Sequence, residues 1–152
     1  MRVNVRRANS PDLDILTAFT LGEAKNAEGI QGDEASIREG IRAALNDESL
    51  AYYWVLESEG DGVIGSVSVV KEWSDWNAGF YWWIQSIYIK PQFRGRGLMD
   101  KLIQAVNDEA KREQALDIRL YVNKKNLRAI NAYKKSGFLN TDYSIMRKEI
   151  NS

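Results

Sequence analysis

From Phe80 to Lys90 the chain is dense in aromatic and β-branched residues, and it then meets Pro91. Such a run favours a strand, and proline, which has no N–H to donate, keeps the ladder from continuing. After Pro91-Gln92-Phe93-Arg94-Gly95-Arg96-Gly97, the residues Leu98, Met99, Leu102, Ile103, Val106 and Ala110 recur at the spacing of a helix's buried stripe. A strand delivered through a glycine turn into an amphipathic helix leaves few folds open. The helix must lay its stripe on the sheet to which that strand belongs.

The flanking sequence supplies the rest of such a sheet. Val3 to Arg7 reads as a first strand, and Ser10 before Pro11 as the N-cap of a helix running to near Asn26. Ile37, Ile41, Ala44 and Leu45 mark a second helix between Gly32 and Asn46. Tyr52 to Glu57 and Val63 to Val70 are β-rich runs joined by Ser58-Glu59-Gly60-Asp61-Gly62, whose residues suit a hairpin. Past the glycine turn, Asp117 to Val122 is strand again. Asn126 can cap a helix carrying Leu127, Ile130 and Tyr133, Gly137 can end it, and Phe138 onward is expected to return as a final strand or hairpin. The predicted order is β-α-α-β-β-β-α-β-α-β, with one more strand an option. That is an α/β fold, a mixed sheet with helices packed on it, expected as one domain over residues 1–152.

Composition removes several chemistries. The 152 residues include no cysteine and no histidine, which excludes disulfides, thiolate nucleophiles, thiolate metal sites and Ser/His/Asp devices, and removes the commonest metal ligand. No metal is expected. Lys plus Arg and Asp plus Glu number 21 each, so no global field draws the chain to nucleic acid. No apolar run approaches the roughly 20 residues that cross a bilayer, and MRVNVRRANSPD lacks the apolar region of a secretory signal. The expectation is a cytoplasmic protein with no membrane partner.

A glycine turn that feeds a helix N-terminus binds anions. The first helical amides lack internal partners, the dipole adds about half a positive charge, and glycine lets backbone approach a phosphate. Arg94 and Arg96 would add charge, and Lys124, Lys125, Arg128, Lys134 and Lys135 form a second basic group around a later helix. A tight strand-to-helix turn also needs glycine for purely conformational reasons. The spacing is not that of a P-loop, which requires Lys-Ser/Thr after its second glycine, nor of a dinucleotide fingerprint, which requires a third glycine.

Gln92-x-x-Gly95-x-Gly97 resembles the Q/R-x-x-G-x-G/A pyrophosphate loop of GNAT acetyltransferases, in the expected place between fourth strand and third helix. Further along, Asn126-x-x-Ala129-Ile130-x-x-Tyr133-Lys134-Lys135-x-Gly137-Phe138 resembles the second signature of that family. The resemblance covers about Gly65 to Phe138. It implies acetyl-CoA as cosubstrate, with the pantetheine arm in a gap between the fourth and fifth strands. Ile87, Tyr88 and Ile89 would then pair with that arm, and Gln92, Arg94, Gly95, Arg96, Gly97 and Leu98 would surround the pyrophosphate. Asn126 would also belong to the cofactor site.

Acetyl transfer to an amine requires a deprotonated nucleophile, a polarised thioester carbonyl and a proton for the departing thiolate. The resemblance implies Tyr133 as the acid and a backbone amide at the end of Ile87 to Ile89 as the carbonyl donor. Some relatives carry a glutamate base where this chain has Gln85, and a neutral amide takes no proton. A base acting through water could come from Glu23, Glu28, Glu34 or Asp75, each of which also reads as a solvated charge. Desolvation could instead favour the neutral amine. Trp73, Trp76, Trp82 and Trp83, with Tyr81 and Tyr88, could line an amine pocket or simply alternate across a sheet. The implied acceptor is a primary amine of a small molecule, polyamine or amino-acid-like. The alternatives are a protein N-terminus or lysine, or a non-catalytic acyl-CoA-binding domain. A homodimer built on an edge strand or the C-terminal strand remains open.

Overall fold

The computed structural model describes residues 1–27 and 32–151. Five strands, β1 (Val3–Arg7), β2 (Tyr52–Ser58), β3 (Gly62–Ser74), β4 (Gly79–Ile89) and β5 (Asp117–Leu120), form one sheet in sequence order. The first four pair antiparallel, whereas β5 lies parallel to β4. A parallel neighbour needs a long crossover, and α3 (Leu98–Arg112) provides it. The remaining helices are α1 (Leu13–Ala27), α2 (Glu34–Asn46) and α4 (Leu127–Lys135).

The helical stripe read from sequence is the stripe buried. Leu98, Leu102, Val106 and Ala110 of α3 pack with Trp54, Leu56, Val67, Val69, Trp82 and Ile84 in the larger core. On the opposite face Leu16 of α1 and Ile41 of α2 enclose Val55. The side-chain period of two thus sends Trp54 and Leu56 to one layer and Val55 to the other. β3 is the central strand and is buried without interruption from Ile64 to Val69, as expected when both faces of a sheet are covered.

Two boundaries differ from the sequence reading. Asn9 rather than Ser10 caps the first helical segment: its N–H donates to Asp12 Oδ2 at 2.8 Å, and Ser10–Asp12 forms a 3-10 turn before α1. The deciding group is Asp12, whose carboxylate also accepts two bonds from the Arg6 guanidinium, at 2.8 and 2.9 Å, and so ties α1 to β1. The second difference lies after Gly137, where the expected final strand does not form among the described residues. Phe138 packs against the core, but Leu139, Tyr143, Ile145, Met146 and Ile150 are exposed. A strand needs a ladder partner as well as β-prone residues, and none of β5's four residues pairs with this segment.

The Arg6 guanidinium holds the Asp12 carboxyl below the usual carboxylate range. A carboxyl depressed in the folded state stabilises fully above its unfolded pKa of about 4, and that stability is lost as pH falls through the lower folded value. Asp12→Asn is expected to destabilise the fold at pH 7 by about 2 kcal/mol and to flatten the decline in stability below about pH 4. Urea unfolding of both proteins from acid to neutral pH measures both effects.

Candidate active site

β4 and β5 pair over only part of their lengths. Their register runs from Tyr81 opposite Asp117 to Ile84 opposite Leu120 and stops there. The next residue, Gln85, is the extra residue of a bulge against β3, because Ser68 pairs with Ser86 while Val69 pairs with Ile84. A bulge bends and twists its strand. From Gln85 onward β4 has β3 on one side and, among the described residues, no strand on the other, so polar backbone of Ile87 and Ile89 faces a gap.

Side chains satisfy that edge. The Ile87 N–H donates to Glu23 Oε2 at 2.8 Å, and the Ile89 carbonyl accepts from Arg94 Nε at 2.8 Å. Glu23 reaches β4 because α1 crosses it closely. Phe19 stacks on Tyr88 with ring centroids 5.0 Å apart, and a Cβ on Gly22 would lie 2.9 Å from the Tyr88 hydroxyl.

Immediately beyond the gap the chain makes the glycine turn. Pro91–Phe93 forms a 3-10 turn, and Gly95 and Gly97 have φ of +78° and +73°, the left-handed region that glycine occupies without strain. Gly97 sits at the N-cap of α3 and offers no side chain to its first amides. Gln92, Arg94, Gly95, Arg96 and Gly97 are exposed, while Leu98 anchors the helix in the core. The two arginines do not simply project from the turn. Arg94 folds back over Tyr88, 5.2 Å from the ring centroid, and Arg96 lies over Phe93. A depression of about 990 Å³ adjoins Arg96 and Leu98. Glu57 and Glu59 share its wall with Arg2 and Lys101, so it offers an anion no field of a single sign.

The end of α4 is joined to the first turn of α3. Asn126 caps α4 by accepting from the Ala129 N–H at 3.2 Å, and Ser136 donates to Asp100 in the first turn of α3 at 2.6 Å. Tyr133 is half-buried, edge-to-face with Phe138. Burial, and then the charge of Glu23, push its phenol up to about 12. Tyr53 on β2 is also raised by burial, and Glu23 adds to that shift. The Glu23 carboxylate, the Ile87 amide and the two phenols therefore share one neighbourhood. Beside them, a cavity of about 370 Å³ lies under α1 and α2, with Glu23, Tyr53, Gln85 and Ser86 in its wall.

Several residues named from sequence lie elsewhere. Asp75 is exposed in the β3–β4 hairpin, at the opposite end of β4 from the turn, and Glu34 is exposed at the start of α2. Glu28 lies outside the described residues. The aromatic group is divided by strand alternation. Trp82 is buried in the α3-side core, and Trp73 and Trp76 are exposed near the hairpin tip. Trp83 donates its Nε1–H to Glu72 at 2.7 Å and packs on Tyr121, while Tyr81 lies against Arg119. These residues therefore do not line the cavity, whose described wall contains one aromatic residue, Tyr53. Tyr53 looked like an ordinary strand residue, and no local signal distinguished it.

Residues 20–138 match the sequence profile described as the Acetyltransferase (GNAT) family. The chain belongs to that family. It is 35% identical over 81 residues to thialysine N-epsilon-acetyltransferase of Mus musculus, over 53% of this chain and 47% of the mouse protein. The chain spans about half the length of that relative. Its fold superposes with a TM-score of 0.91 on a crystal structure described as "a possible acetyltransferase" from Clostridium difficile 630, 30% identical over the whole of both chains. It also superposes, with a TM-score of 0.80 and 22% identity over 97% of this chain and 96% of the other, on a "predicted acetyltransferase with acetyl-CoA" from Clostridium acetobutylicum. The latter similarity speaks for the fold alone.

A carboxylate placed in the turn would oppose any phosphate held there. Gly95→Glu is expected to abolish CoA binding measured by calorimetry. The strain of a left-handed non-glycine residue costs only about 1 kcal/mol, so the variant still unfolds cooperatively.

Proposed function

We propose that this chain is an acetyl-CoA-dependent N-acetyltransferase that acetylates a primary amine of a small molecule, polyamine or amino-acid-like. The observation that carries this reading is the conjunction of the parted β4 edge with the uncapped N-terminus of α3. The cosubstrate fits these features. Amides around Gly95, Gly97 and Leu98, beside Gln92, Arg94 and Arg96, suit a pyrophosphate. The edge of Ile87 to Ile89 suits the amides of a pantetheine arm, and Asn126 orients α4 beside it. Acetyl-CoA supplies an activated thioester; the chain supplies orientation, a donor for the thioester carbonyl and a proton.

In this reading the amine nitrogen forms a bond to the acetyl carbon as the carbon–sulfur bond breaks. The Ile87 N–H stabilises negative charge on the carbonyl oxygen. Tyr133 remains protonated at physiological pH and donates to the departing thiolate, while the amine gives up its proton. The cavity volume lies within the range of small-molecule sites, which favours a small acceptor over a protein segment. The thialysine N-epsilon-acetyltransferase supports an amine of amino-acid type.

Thiol release from acetyl-CoA, followed with a panel of diamines, polyamines and amino acids, tests the proposal. At least one small amine should support turnover, and tight CoA binding without thiol release for any amine would reduce the chain to a binding protein. Tyr133→Phe is expected to lower kcat by about 10- to 100-fold, with CoA affinity nearly unchanged; equal activity removes Tyr133 as the acid.

A further inference from the structure

Glu23 combines three relations found together in no other acidic residue described. It accepts from the backbone N–H that faces the gap, it acts electrostatically on Tyr133, and it lines the cavity. The other polar groups in the cavity wall include Thr20, Ser36, Tyr53, Gln85 and Ser86, all uncharged at neutral pH. Gln85, at the bulge, cannot accept a proton at that pH.

Resting on the acetyltransferase reading, we propose that Glu23 is the catalytic base, held weak by the Ile87 amide and made stronger when that amide turns to the thioester carbonyl. A hydrogen bond to an ionised carboxylate favours the ionised form, so losing the Ile87 donor makes Glu23 more basic. One N–H cannot serve both oxygens well. The same event that polarises the carbonyl therefore activates the base. Glu23 takes one proton from the acceptor's ammonium, the freed lone pair forms the nitrogen–carbon bond, and the carbon–sulfur bond breaks. The thiolate takes the Tyr133 proton and the new amide loses its second proton to water. Glu23 then returns its proton to the Tyr133 phenolate, leaving one net proton released per turnover.

Among the described residues, the groups named around Glu23 are weak acids or neutral. β2 contributes Tyr53 and α4 Tyr133; Gln85 and Ser86 of β4 and Ser36 of α2 line the same cavity, and Tyr88 of β4 meets the neighbouring Gly22. None of these described groups is a carboxylate or an imidazole.

The test uses the full chain with Glu23→Gln, whose amide oxygen can still accept from Ile87, and Glu23→Ala, which removes the acceptor. With an amine that the wild type acetylates, Glu23→Gln should lower kcat about 100-fold at pH 7, and the deficit should shrink steadily as pH approaches the amine's own pKa. Undiminished kcat at pH 7, or a loss equal at every pH, overturns the base. Independently of turnover, calorimetry compares acetyl-CoA with CoA, which has no acetyl carbonyl. Glu23→Ala should strengthen acetyl-CoA binding relative to CoA several-fold, because the competing carboxylate is gone, and an unchanged ratio overturns the shared amide. If the wild type acetylates no amine, the acetyltransferase reading fails, while the binding ratio still decides whether Glu23 and a thioester compete for Ile87.

Discussion

The site depends on an incomplete strand pair. Parallel pairing of β4 with β5 ends at Ile84 and Leu120, and the Gln85 bulge turns the rest of β4 away. A parted sheet leaves backbone donors and acceptors that cost free energy unless something bonds to them. Here Glu23 and Arg94 do so, one side chain of each sign. Edge protection of this kind blocks unwanted strand pairing and holds charged groups beside the place where a ligand's own amides could pair.

Helix α1 is what makes this arrangement selective. Gly22 has no Cβ to meet Tyr88, so the helix can lie close across β4, and Phe19 fixes its rotation by stacking on the same ring. The carboxylate next in sequence to the glycine then falls within hydrogen-bond distance of Ile87. Asp12 holds the beginning of the helix segment to Arg6 on β1 and Asn9 before it, so both ends of the α1 approach are referenced to the sheet.

The glycine turn was legible because its rules are local. Pro91 stops a strand, Gly95 and Gly97 take backbone angles that other residues avoid, and the following apolar spacing is that of a helix. The Asn126 cap and the Gly137 stop were readable for the same reason. Glu23 was not separable from Glu34 or Asp75 by local sequence, because only the crossing of α1 over β4 distinguishes them. The aromatic residues before the turn left two readings open for the converse reason. Neighbours in sequence such as Trp82 and Trp83 lie on opposite faces, so their concentration along the chain disperses in space. The C-terminal apolar residues carried a strand pattern, but pattern does not supply a pairing partner.

Tyr133 and Glu23 are coupled, and the coupling bears on the proposed chemistry. A phenol raised to about 12 is a weak donor toward a thiolate whose conjugate acid has a pKa of about 8.5. Part of that elevation comes from the negative charge of Glu23, and the larger part from burial. In the proposed reaction, a proton taken by Glu23 from the incoming ammonium would remove that charge and make the Tyr133 phenol more acidic as the thiolate begins to form. In that proposal, accepting the amine's proton and releasing the phenol's proton would be mutually reinforcing steps in a chain without histidine.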